Sequence, residues 1–198
     1  MKKIKFSLFL ILIFFFLYPK ISFAQESVIT PLVIASPTIA EVKKSVKYDL
    51  PYPGLLPDNP LYLLKAIRDK TVGFLISSPL KKAEFNLLQA DKRLNSGVYL
   101  FNSAKQNDKK MGLSVSTISK GENYFYEAIS EIKRANNQGL STKSLTEKLL
   151  DASKKHQETI SSLERKSKGN TRESFARENK RAKDFEKQVD KLLSKKSK

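Results

Sequence analysis

The chain has 198 residues, no cysteine and a formal net charge of +17, from 37 lysines and arginines against 20 aspartates and glutamates. The lack of cysteine excludes disulfides, thiolate nucleophiles, thiolate-bound metals and lipid attachment to an N-terminal cysteine. The positive charge indicates attraction to polyanions but does not predict a fold.

The first 24 residues have the order of a signal peptide. Three lysines among the first five residues precede an apolar run of thirteen residues, 6–18, which is shorter than the roughly 20 residues that cross a bilayer. Ser22 and Ala24 place small residues where a signal peptidase cuts. We therefore expect export, to the cell envelope or to the medium, with Gln25 as the mature N-terminus. The alternative is an uncleaved N-terminal membrane anchor.

The following segment, 25–57, contains five prolines, which exclude a continuous helix and indicate a tether. Its last part, 51–57, carries Tyr52, Leu55 and Leu56 and is too apolar for a bare linker. We expect this part to lie as an extended cover on the first helix.

Helical signals begin at Asp58, and they predict a bundle domain at 58–168. For the first helix, Asp58 or Asn59 is the predicted cap and Pro60 lies in the first turn. One face of this helix, which ends near Ser77, is formed by Leu61, Leu64, Ile67, Thr71 and Leu75.

Ser78 and Pro79 start the second helix in the same way, and we expect it to run for roughly 28 residues. Its core-facing stripe keeps spacings of three and four through Leu80, Ala83, Leu87, Ala90, Leu94, Val98 and Phe101.

The third and fourth helices are separated by the stop signal that ends in Gly139. The third follows the polar stretch 106–110, and its stripe consists of Ile118, Glu122, Phe125, Ile129 and Ile132. The fourth has Ser141 as its predicted cap and ends at Lys168 and Gly169, and its stripe consists of Leu145, Leu149, Ala152, His156, Ile160 and Leu163.

A fifth, basic helix with a short tail is predicted at 169–198. Asn170 and Glu173 have the spacing of a capping box. Its thin stripe consists of Phe175, Asn179, Ala182, Phe185, Val189 and Leu192. Short polar turns make neighbouring helices antiparallel, so the predicted fold is an all-α antiparallel bundle of about five helices. Whether the fifth helix packs on the bundle, binds a partner or protrudes is left open.

A set of motifs near the start of the bundle consists of residues 50–62, Lys65, and residues 68–70, 81–84 and 90–94, with 155–158 as a second, weaker signature. These motifs, which cover roughly residues 50–165, resemble a family of exported bacterial helical domains known as domain of unknown function 5667. It implies a helical domain outside the cytoplasm, often behind a signal peptide or anchor, and no established activity.

The single histidine, His156, is the first candidate for chemistry. A metal site requires two or three further ligands at helical spacing, and a general base requires a nucleophile and an orienting carboxylate. Near it in sequence are only Asp151, on another face of the helix, and Glu158. We interpret His156 as a structural or partly exposed residue.

Glu84 and Asp91 share a face of the second helix and are the candidate acid–base pair. Ion pairs of each with nearby lysines or arginines are the favoured interpretation. With no glycine-rich phosphate loop, serine elbow or metal-box spacing in the chain, we expect a protein that is not an enzyme and has no cofactor, no metal and no small-molecule substrate.

Three consecutive aromatic residues, Tyr124, Phe125 and Tyr126, lie on the third helix and cover about 200° of its circumference. The favoured interpretation is one core phenylalanine flanked by two tyrosines whose hydroxyl groups contact water. A stacking platform for a sugar or a base is the alternative.

The C-terminal part, 164–198, holds thirteen basic and six acidic residues. Lys183, Lys187, Lys191 and Lys195 recur every four residues and form a column on one helix face, which we name the lysine column. It predicts a site for an anionic wall polymer or membrane surface, with nucleic acid not excluded. The alternative function is an adaptor that binds another envelope protein through the fifth helix.

Overall fold

The computed structural model describes residues 46–105 and 107–194. The predicted signal peptide, the tether up to residue 45 and Lys195 lie outside these residues. The described part is all-α, which confirms the predicted fold class. Its helices are α1 (Tyr62–Leu75), α2 (Pro79–Ser103), α3 (Asp108–Asn137), α4 (Lys143–Lys166) and α5 (Gly169–Ser194). None of them combines the length and the apolar character that a membrane crossing requires.

Local signals set several helix ends, and those at Pro79 and Gly139 are as predicted. Pro79 is the first residue of α2, where its missing N–H leaves no hydrogen bond unmade. The start of α3 was not predicted: the side chain of Asn107 accepts a hydrogen bond from the Lys110 N–H at 3.0 Å and caps α3 inside the polar stretch 106–110. Gly139 follows α3 with a φ of +72°, a conformation that glycine adopts without steric cost.

Other predicted ends are wrong by one to four residues. The residues predicted to start the first helix, Asp58, Asn59 and Pro60, lie in tight turns instead, because Tyr62 N–H donates to the carbonyl of Asn59 three residues back. α2 has 25 residues, fewer than expected.

Two further predicted caps are wrong. The residue before α4 is Thr142 rather than Ser141, since its carbonyl accepts the first helical bond from Thr146. α5 begins at Gly169, as its predicted bounds have it, but Asn170 is its second residue and not its cap, because Arg172 N–H already donates to the carbonyl of Lys168.

Helices α2 to α5 form the bundle, in which α2 pairs with α3 and α4 pairs with α5. The α2–α3 pair is antiparallel: Ser114 donates to the carbonyl of Gly97 at 2.7 Å, while Glu131, farther along α3, approaches Lys82 near the start of α2. The α4–α5 pair is also antiparallel, with Asn179 donating to Glu164 at 2.8 Å.

The two helix pairs meet along α3 and α5 and along α2 and α4. α3 and α5 run in the same direction, because Arg181 contacts Asn123 and Lys133 contacts Gln188. The interior of the bundle therefore lies between the two pairs.

Glycines bring α2 and α3 unusually close together. A Cβ atom at Gly97 would collide with the side chain of Ile118, and one at Gly121 would lie 3.1 Å from the carbonyl oxygen of Ala90. The absence of side chains at these two positions lets the helices approach to backbone distance.

The predicted stripes of α2, α3 and α4 form the core of the bundle. One apolar cluster contains Leu87, Ala90, Phe125, Ile129, Ile132, Leu149, Ala152, Phe185 and Val189. The other contains Leu94, Phe101, Ile118, Ile160, Leu163, Phe175 and Ala182. Both clusters include residues of α5, so the fifth helix is a full member of the bundle.

The extended segment 46–57 lies against both α1 and α2. Asn95 on α2 donates to the carbonyl of Pro51 at 2.9 Å, and Lys65 on α1 donates to the carbonyl of Pro53 at 2.7 Å. This agrees with the predicted cover segment, although Tyr52 and Leu55 point to solvent.

The first helix packs on α2 with its less apolar side. Asp69 is buried at this contact, and Gly73 is the point at which α1 approaches the ring of Phe85. The predicted face of α1, with Leu61, Leu64, Ile67, Thr71 and Leu75, is exposed to solvent.

Candidate functional site

A charged cluster lies in the middle of the bundle. His156 on α4 is fully buried and contacts two carboxylates, each from a different helix. Its Nδ1 lies 2.7 Å from Oε1 of Glu122 on α3, and its Nε2 lies 3.0 Å from Oδ1 of Asp91 on α2. Both carboxylates are buried as well. We name these three side chains the histidine cluster.

The histidine cluster continues to the N-terminal segment. The hydroxyl of Tyr48 donates to Oδ2 of Asp91 at 2.6 Å, and burial together with the Asp91 charge raises the pKa of this tyrosine. The ring of Phe125 covers the imidazole with its centroid 4.9 Å away. The second oxygen of Glu122, Oε2, is buried and has no hydrogen-bond partner among residues 46–105 and 107–194.

The electrostatics of the cluster favour a positively charged imidazole. Burial by itself lowers the pKa of His156, but the charge of Glu122 and the hydrogen bonds with Asp91 and Glu122 outweigh it. The resulting pKa is about 9, above the ordinary 6.5. At neutral pH both ring nitrogens therefore carry protons, and each donates to one carboxylate.

The sequence interpretation of this histidine was incomplete. Its partners are 65 and 34 residues away along the chain, whereas Asp151 and Glu158 are not its partners; Glu158 pairs with Lys155 instead. One of the two partners could have been identified from the core stripe of α3, because Glu122 lies there among isoleucines and a phenylalanine. A buried carboxylate at such a position requires a cation or several donors.

The histidine cluster is enclosed by helices, and its three side chains are closed off from solvent. Within residues 46–105 and 107–194, no group of three histidine, aspartate or glutamate side chains has the geometry to hold a metal ion. The cluster can link α2, α3, α4 and the Tyr48 segment through charge-assisted hydrogen bonds.

Glu84 and Asp91 do not form a pair. Glu84 is exposed, and Asp91 points into the core at His156. The expected ion pair of Asp91 with a nearby lysine or arginine is therefore wrong, because a buried histidine offers the carboxylate a stronger, desolvated partner.

The three aromatic residues follow the favoured interpretation. Phe125 is fully buried, Tyr124 lies half-buried under the guanidinium of Arg93 at 4.1 Å from its ring centre, and Tyr126 is exposed. The rings therefore point in different directions and do not form one flat platform.

The lysine column lies on the solvent face of α5. Lys183, Lys187 and Lys191 are all exposed, and Lys195 lies beyond the described residues. These three lysines stand on consecutive turns, about 6 Å apart along the helix axis. The opposite side of α5 is packed in the bundle core, so the helix cannot rotate and its lysines stay directed to solvent.

A shallow groove of about 490 Å³ runs between α4 and α5 along the column. Its lining combines Lys183 and Lys187 with Lys154 from α4, together with Leu150, Gln157, Glu186 and Asp190. Lys154 is a basic neighbour that sequence spacing did not assign to the site. Asp184 approaches Lys187 only to 4.0 Å, and both side chains are more than half exposed, so this ion pair is weak.

Comparisons with models of protein families, with curated proteins and with solved structures found no match for this chain. The resemblance to domain of unknown function 5667 rests on the motif at 50–62 and its companions, and it stays a prediction.

Proposed function

We propose that this protein is a non-enzymatic, exported helical interaction module that binds anionic polymers of the cell envelope. The observation that carries the proposal is the exposure of Lys183, Lys187 and Lys191 on consecutive turns of one rigid helix face. A chain of phosphates or carboxylates presents negative charge at a comparable repeat and can lie along such an array.

The packing of α5 supports this use of its lysines. The apolar side chains Phe175, Phe185 and Val189 are buried in the bundle. The lysines of the column therefore stand on a fixed surface and are not part of the core. Lys154 adds a fourth ammonium group from the neighbouring helix. The exposed acids beside the column screen it in part, and we expect binding of moderate strength that depends on salt.

The same packing disfavours the adaptor function. A partner that docks through α5 would need an apolar helix face, and the large apolar residues Phe175, Phe185 and Val189 of α5 are already buried in the core.

The test is a salt titration of polymer binding. The probe is the full chain with a phosphate-rich wall polymer, with a carboxylate-rich polysaccharide as the second probe. Because binding releases counterions, the logarithm of affinity should fall linearly with the logarithm of salt concentration. The quadruple variant Lys183→Gln, Lys187→Gln, Lys191→Gln, Lys195→Gln should weaken binding by about tenfold or more and flatten this slope.

The control removes the same charge elsewhere. Lys109, Lys120, Lys143 and Lys148 are exposed and lie on α3 and α4, and their quadruple glutamine variant has an identical net charge. The proposal requires the column variant to lose much more affinity than this control. Equal losses would show that only the net charge attracts the polymer, and no loss in either variant would reject polymer binding through these lysines.

A further inference from the structure

The first helix carries a second surface, distinct from the lysine column. Its outward side is an apolar strip of Leu63, Leu64, Ile67, Phe74 and Leu75 around Thr71, which we name the α1 strip. All of these residues are exposed, Phe74 to 85%. At 100° per residue the strip covers about 120° of the helix, and the helix is about 20 Å long.

This orientation is set by the inner side of α1. Gly73 approaches the ring of Phe85 so closely that a Cβ atom there would lie 3.0 Å from it, and Ala66 occupies the same inward side. Asp69 is only 4% exposed. Lys65, also on the inward side, binds the carbonyls of Pro53 and Leu55. Small and polar side chains therefore face the bundle, and the apolar strip faces away from it.

Basic residues border the α1 strip on both sides. Lys70 lies on one edge and Arg68 on the other, and both are exposed. Arg68 pairs with Asp69 at 2.7 Å, yet its side chain stays 61% exposed. Asp69 is the single acidic residue of α1, so the helix presents no exposed acid. An apolar strip between two cations is the pattern of a helix that lies in the surface of an anionic bilayer.

We propose that the α1 strip inserts into the surface of a bilayer that contains anionic lipids, with Arg68 and Lys70 at the headgroups. Long basic side chains at such borders keep their charge in the polar layer while their stems contact the acyl region. Leu61, which directly precedes the helix, is exposed as well. This goes beyond polymer binding, because it uses a different helix and an apolar contact.

Charge favours a bilayer over a second copy of the chain. If two α1 strips paired with each other, Arg68 and Lys70 of each copy would approach cations of the other without an exposed acid on α1 to compensate them. Anionic headgroups supply the missing negative charge. The overall charge of +17 acts in the same direction.

The test uses the absence of cysteine, which lets a single introduced thiol carry a fluorophore. Thr71→Cys places the label in the centre of the α1 strip without removing an apolar side chain. Ser144→Cys places it on an exposed position of α4 and is the matched control. The labelled full chain is mixed with phosphatidylcholine vesicles, with and without phosphatidylglycerol, that carry a quencher on the acyl chains. Because each label reports its own position, membrane contact by other segments does not obscure the result.

With phosphatidylglycerol present, the label at position 71 should be quenched about threefold or more, while the label at 144 should change by less than about a fifth. Leu64→Gln and Leu75→Gln in the Thr71→Cys chain should remove this quenching. Arg68→Gln and Lys70→Gln should reduce its dependence on anionic lipid. Equal signals at 71 and 144, or a label at 71 that stays unquenched, would overturn the proposal. A spectral shift at 71 that follows protein concentration without vesicles would also overturn it and indicate pairing of two copies.

Discussion

Helices α1 and α5 make opposite use of their apolar residues. α1 has more large aliphatic side chains, yet Leu63, Leu64 and Leu75 are exposed. α5 is rich in charge, yet it buries Phe175 and Phe185 completely or nearly so. The difference shows that burial depends on the surfaces that neighbouring helices offer and not on the apolar content of a helix alone. α5 packs between α3 and α4, whereas α1 packs on the bundle mainly through its contact with α2.

A pair of matched substitutions tests this contrast most strongly. Phe175→Ala should lower the free energy of unfolding by about 3–5 kcal/mol, because it leaves a cavity beside Phe101 in the core. Phe74→Ala removes the same side chain from an exposed position and should change the free energy of unfolding by less than about 0.5 kcal/mol. Urea denaturation of both variants measures the difference. Similar losses would mean that α1 is packed as firmly as α5.

The histidine cluster predicts that the bundle loses stability in mild alkali. The folded-state pKa of His156, about 9, is above the unfolded value of 6.5, so the native state binds the proton more tightly. The resulting stabilisation is fully present below pH 6.5 and is lost as the pH rises through about 9. Its size is on the order of 3 kcal/mol.

Denaturation curves between pH 6 and about 9.5 check this prediction, because unfolded tyrosines titrate only above that range, at about pH 10. His156→Gln is the control and should have lower stability that is nearly independent of pH in this window. The cluster lies on α2, α3 and α4, so α1 variants such as Phe74→Ala should keep the parent's pH dependence. A parent protein with constant stability across the window would contradict the charged imidazole.

The smallest expected effect concerns the charged side of α5. Lys187 has like charges four residues before and after it, and its contact with Asp184 at 4.0 Å is exposed. Lys187→Gln should therefore stabilise the protein by a few tenths of a kcal/mol at low salt. The gain should disappear in high salt, where such repulsion is screened. Thermal unfolding at two salt concentrations measures it, and a loss of stability at low salt would show that Lys187 makes a favourable contact.

Local sequence determined the helices of this protein and several of their ends. The proline at 79, the capping side chain of Asn107 and the positive φ of Gly139 act on neighbours within a few residues. The spacing of three and four identified the core faces of α2 to α5 for the same reason, since residues on one helical face are set by local geometry. The position of the lysine column was readable in the same way.

Tertiary structure alone decided which polar residues meet and which apolar face stays outside. Asp91 and Glu122 reach His156 from two other helices, and the sequence gives no spacing that relates them. The strip on α1 looked like the stripes of the bundle helices, but the small and polar residues on its other side, Gly73 and Asp69, fit against α2 instead. Periodicity defines the faces of a helix, whereas the shape and charge of distant segments determine which face is buried.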